Sequence, residues 1–162
     1  MTLLLTGVLT GILATIVLDT WAGIVKHVLH LPTANWALVG RWFGHMAKGQ
    51  FVHQRVADSA PVSRELALGW IGHYLIGVVY GIAYLLIVEV CLSSEPSLVS
   101  AVAFGLATLV APWCIMQPAM GAGFFASRTP RPAITRLVNL SMHLVFGLSL
   151  YATWALIRAV AA

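Results

Sequence analysis

Gly69-Trp70-Ile71-Gly72-His73-Tyr74-Leu75-Ile76-Gly77-Val78-Val79-Tyr80-Gly81 is an uncharged stretch within an apolar run long enough to cross a membrane. Gly69, His73, Gly77 and Gly81 recur every fourth residue, so on a helix they form one slowly drifting ridge. Glycines on such a ridge let a neighbouring backbone approach closely. The one ionisable group on it is a histidine, where polar groups are costly. Two further ridges share this pattern: Gly7, Gly11, Thr15, Asp19 and Gly23 earlier, and Asn139, His143, Gly147 and Tyr151 later. Together they predict a polar site inside a helical bundle.

Composition agrees. Of 162 residues, 60% are apolar and 9% charged, with mean hydropathy +0.91. Soluble domains carry about 25% charged residues, so the chain reads as an all-α integral membrane protein forming a single domain. Four spans are expected, at about 2–25, 66–88, 98–116 and 137–157. The first reads as a span rather than a signal peptide, because it lacks a basic leading region and its apolar run is too long. Pro112 is expected to kink the third. Between the first two spans, residues 35–48 read as an interfacial amphipathic helix. Leu38, Val39, Trp42, Phe43 and Met46 would share one face, with Arg41, His45 and Lys48 on the other.

Lysine and arginine number five in the first connection, none in the second and three in the third, with Arg158 at the tail. Eight of the nine thus fall on one side, which the positive-inside rule assigns to the cytoplasm, leaving both termini periplasmic. For the same reason the net charge of +4 is not read as nucleic-acid affinity. A weak internal repeat aligns Leu13-Ala14-Thr15-Ile16-Val17-Leu18-Asp19-Thr20-Trp21 with Leu106-Ala107-Thr108-Leu109-Val110-Ala111-Pro112-Trp113, one residue shorter. His73-x-x-x-Gly77 likewise echoes His143-x-x-x-Gly147, so the bundle reads as two repeated hairpins. Cys91 and Cys114 would lie near opposite faces, too far apart to bridge.

Depth brings the polar residues together. Asp19, His73 and His143 each lie seven or eight residues from a boundary charge, or roughly 10–12 Å into the membrane at 1.5 Å per residue. Gln117 approaches that level from the third span, and His45 or His53 could close the site from the interface. Asn35 and Arg41 are further candidates for a polar lining. A carboxylate and several imidazoles suit a transition metal on Asp19, His73, His143, His45 and His53, zinc before copper or iron. Facing His73 and His143 could instead ligate haem b, or the groups could relay protons or line a substrate path. The competing reading is a set of interhelical hydrogen bonds that register the bundle.

Other features have plainer readings. Trp36, Trp42, Trp70 and Trp154 are expected as interface anchors. Gly7-x-x-x-Gly11 suits helix packing or a dimer face, and Arg128-Thr129-Pro130-Arg131-Pro132 a stiff turn beside lipid headgroups, with anionic-lipid contact as the sharper alternative. No phosphate loop, nucleophile elbow or zinc-protease helix occurs, so no catalytic residue is assigned.

Asn35, Gly40-Arg41-Trp42, His45, Phe51-x-His53, Gly69-Trp70-x-x-His73-Tyr74, Gln117-Pro118-Ala119-Met120-Gly121-x-Gly123 and His143-x-x-Phe146-Gly147 resemble the bacterial membrane family DUF2938, a domain of unknown function. The resemblance covers nearly the whole chain and implies a small bacterial inner-membrane protein, with no activity to carry over. The expectation is a bundle binding a metal ion or small ligand, with transport or sensing duty. An accessory subunit of a larger membrane complex ranks second and a membrane enzyme third. Beyond the bilayer, the expected partners are a second copy or that larger complex.

Overall fold

The computed structural model describes residues 2–161, and among them there is no strand. Four helices are long and apolar enough to cross a membrane: α1 (Leu3–His27), α3 (Glu65–Cys91), α4 (Leu98–Ala119) and α5 (Pro132–Ala161). A shorter helix, α2 (Trp36–Met46), lies in the first connection. The ends follow local chemistry. The Thr2 hydroxyl accepts from the Leu5 amide (3.4 Å), the Asn35 side chain accepts from Ala37 and Leu38, and Ser97 forms a capping box with Ser100. The fourth span begins at Pro132 rather than near 137, because proline's fixed φ and missing N–H suit the first helical turn.

Pro112 acts on α4 as expected of a residue without an N–H. Regular α-helix ends at Ala107, and a widened π turn covers Ala111–Met116. A second π segment, Leu86–Cys91, closes α3.

The ridges of small residues determine which helices meet. A methyl on Gly11 would collide with the Gly77 carbonyl, one on Gly81 with the Gly7 carbonyl, and one on Gly77 with the Thr15 hydroxyl. The first ridge of α1 therefore lies against the ridge of α3. On the other side of the bundle, a methyl on Gly105 would fall 2.6 Å from Gly147 Cα, so α4 lies equally close to α5. The α1 helix also packs on α5. Where the helices converge, away from the basic connections, Ala14, Tyr84, Leu85, Val88, Ala101, Phe146 and Leu150 form the apolar core. The Tyr84 hydroxyl is satisfied there by Ser100 Oγ at 3.0 Å. Residues such as Ile16, Leu75, Val79 and Leu137 point outward, as a lipid-facing surface requires.

Candidate functional site

Asp19 sits one turn beyond Thr15 on the ridge that α1 presents to α3, and His73 sits one turn before Gly77. Helices held this close bring the two side chains into contact. His73 Nε2 lies 2.9 Å from Asp19 Oδ1, and the Tyr74 hydroxyl donates to Asp19 Oδ2, also at 2.9 Å. Both carboxylate oxygens are thus engaged, and the side chains retain 11% (His73) and 20% (Asp19) exposure. The imidazole is covered by indoles: Trp36 stacks on it at 4.1 Å and 29°, and Trp70 meets it edge-on at 5.8 Å. Trp36 comes from α2, so three helices contribute to the cluster.

The position of α2 is fixed by backbone contact. Methyls on Gly40 and Gly69 would collide with the Glu65 and Trp36 carbonyls respectively, so α2 and α3 touch main chain to main chain. Arg41 locks this contact. Its Nε and Nη2 donate to the two oxygens of Glu65 (2.8 and 3.0 Å), and Nη1 donates to the Ala57 and Ser59 carbonyls (both 3.0 Å). The hydrogen bond to Glu65 holds the guanidinium above its ordinary pKa. Arg41 is therefore a clamp, while Asn35 caps α2; neither lines the Asp19 cluster. Trp42, expected as an interface anchor, is buried and donates to the Phe51 carbonyl at 2.8 Å.

His143 occupies a different contact. Its Nδ1 lies 2.8 Å from Thr108 Oγ1 and 3.3 Å from the Gly105 carbonyl, both on α4. One turn earlier on α5, the Asn139 amide oxygen accepts from Gln117 Nε2 (2.6 Å) and Trp113 Nε1 (3.2 Å), and its nitrogen donates to the Thr135 carbonyl. Gln117 is thus drawn into the α4–α5 contact, its Oε1 buried without a partner. His45, in the last turn of α2, and His53, in the loop that follows, form a third group. His45 Nδ1 lies 3.0 Å from Gln50 Oε1 and its Nε2 2.9 Å from the Ala60 carbonyl; His53 Nδ1 lies 2.8 Å from Ser59 Oγ. The His53 amide donates to the Ala119 carbonyl at 2.7 Å, tying this loop to the Gln117–Gly121 stretch.

The structure therefore divides the expected cluster into three groups. Asp19 and His73 meet, His143 is turned to α4, and His45 of α2 stays with His53 of the loop that follows. Among the described residues, no three His, Cys, Asp or Glu side chains come together to hold a metal ion. His73 and His143, the expected haem pair, likewise belong to separate helix contacts. Equal distance from a boundary charge along the helix carries no information about azimuth. The α1 face bearing Asp19 looks at α3, while Trp21, on another face, donates to Ser141 of α5 at 3.1 Å. Glu65 and Thr108 are not expected from sequence as site residues, and Trp36 is expected only as an interface anchor. Glu65 alone offered a signal there, as an acid in the first turn of a helix near an unpartnered arginine.

Neither a curated protein nor a solved structure matches the chain. The model of a protein family of unknown function, DUF2938, matches residues 8–157. With that match covering most of its length, the chain belongs to the DUF2938 family.

Proposed function

We propose that this is a proton-responsive membrane protein with a sensing or transport role, in which Asp19, His73 and Tyr74 form the exchanging cluster. The observation that carries this reading is a carboxylate shared by an imidazole and a phenol inside membrane-length helices. An aspartate at mid-span costs about 2.5–3.5 kcal/mol and less towards the edge, and pairing recovers much of that. Histidine is the side chain whose charge changes near neutral pH. The groups facing His73 are Asp19 from α1, Tyr74 and Trp70 from α3, and Trp36 from α2. A second proton on the imidazole turns the Asp19 contact into an ion pair and sets a cation against the Trp36 face. Because Trp36 belongs to α2, the charge change reaches the interfacial helix directly.

The proposed setting is the bacterial inner membrane, with the basic connections in the cytoplasm and both termini periplasmic, following the distribution of lysine and arginine. The test is tryptophan emission of the protein in lipid nanodiscs, scanned across the range in which histidine changes charge. The wild type should show a sigmoidal change that His73→Gln abolishes and His45→Gln preserves, with helicity checked by circular dichroism. An unchanged profile in a folded His73→Gln variant would sink the proposal. Proton uptake into liposomes carrying a trapped pH dye then separates transport from sensing.

A further inference from the structure

The Asp19 cluster leaves unexplained an open crevice of about 250 Å³ between the end of α1 and the start of α5. Trp21, Val25 and Leu29 line one side, and Ile134, Leu137 and Ser141 the other. Its walls are almost wholly apolar, apart from the Trp21–Ser141 hydrogen bond. It is smaller than the roughly 300–1,000 Å³ of small-molecule pockets and suits a flexible hydrocarbon chain better than a bulky solute. The residues that flank its lining in sequence have the opposite character. Lys26 directly follows Val25, and Arg131 lies three residues before Ile134, with Arg128 on the same connection; all three are exposed. Among the described residues none of them joins an ion pair. Of the five acids, Asp19, Asp58 and Glu65 are engaged elsewhere, and Glu89 and Glu95 lie towards the opposite end of the bundle. An apolar slot beneath unneutralised cations is complementary to one chemistry: an acyl chain carrying an anionic headgroup.

We infer that this crevice is a binding site for an anionic phospholipid, one acyl chain lying between α1 and α5 and the phosphate resting on Lys26 and Arg131. The site is separate from the Asp19 cluster, since Trp21 faces α5 while Asp19 faces α3. Trp21 serves as the reporter. The protein is reconstituted in vesicles containing either phosphatidylglycerol or phosphatidylcholine with brominated acyl chains, which quench nearby indoles. Brominated phosphatidylglycerol should quench more, and the excess should vanish in Trp21→Phe, in the Lys26→Gln/Arg131→Gln double variant, and for the wild type in high salt. Soluble glycerol phosphate should not compete. Equal quenching by the two lipids would overturn the inference, as would an excess that survives Trp21→Phe. The salt arm needs no variant: an excess unchanged by salt would also overturn it, whether or not the double variant folds.

Discussion

Two helix pairs in this molecule are built with the same device and finished differently. In the first, Gly11, Gly77 and Gly81 bring α1 onto α3, and His73 lies one turn from the glycine contact. In the second, Gly105 and Gly147 bring α4 onto α5, and His143 occupies the equivalent place. The difference is what meets the imidazole. His73 finds a carboxylate and an indole roof; His143 finds a hydroxyl and a backbone carbonyl. The sequences differ at the same place: Leu13–Trp21 carries Asp19, whereas Leu106–Trp113 carries no acid and has Pro112 before its tryptophan. One imidazole has a carboxylate partner that can share its charge, and the other is held by a hydroxyl and a carbonyl. Small residues hold the helices together in both halves, and one acid distinguishes the contact proposed to respond to protons from the other.

The comparison breaks most severely where backbones touch. Gly81→Leu and Gly105→Leu should each abolish a folded, monodisperse protein in mild detergent, because the new side chain meets main chain that cannot yield. Gly23→Leu should be tolerated, since nothing lies within 4 Å of the position its Cβ would take. Size-exclusion profiles and circular dichroism decide this.

A lesser effect is expected at Arg41, whose clamp has no counterpart in the second half. Arg41→Ala leaves Glu65 with only the Val62 amide and removes the donor to two carbonyls, so α2 should loosen while the four spans stay assembled. Limited proteolysis in the 47–60 connection should accelerate strongly, with no change in transmembrane helicity.

Within the helix contacts, Asp19→Ala orphans both His73 Nε2 and the Tyr74 hydroxyl. Its expected cost is about 1–3 kcal/mol by denaturation in detergent. Thr108→Val should cost nearer 0.6 kcal/mol, about the mean for a hydrogen bond between membrane helices, because His143 keeps the Gly105 carbonyl. Equal costs would erase the distinction drawn between the two halves.

The smallest effect is expected at Thr15, whose hydroxyl donates to the Gly11 carbonyl of its own helix at 2.8 Å. Thr15→Val removes a bond that joins no two helices and should shift stability by a few tenths of a kcal/mol. A loss as large as that for Asp19→Ala would mean that packing against Gly77, rather than the Asp19–His73 pair, holds α1 to α3.

The sequence by itself determined four membrane-length helices, a short amphipathic helix in the first connection and the small-residue ridges that bring helices together. These are properties of periodicity and hydrocarbon thickness, which one chain carries along its own length. It also set Asp19, His73 and His143 at similar distances from a boundary charge along their helices, which rise per residue converts into an expected depth. Which of them meet was decided only by tertiary structure. Azimuth depends on which neighbour each ridge chooses, and a ridge of glycines accepts any neighbour with a complementary groove. Packing α1 against α3 and α4 against α5 gave Asp19 to His73 and Thr108 to His143. The same packing let Gly40 and Gly69 seat α2 directly on α3, so a helix legible only as amphipathic became the roof of the Asp19–His73 contact.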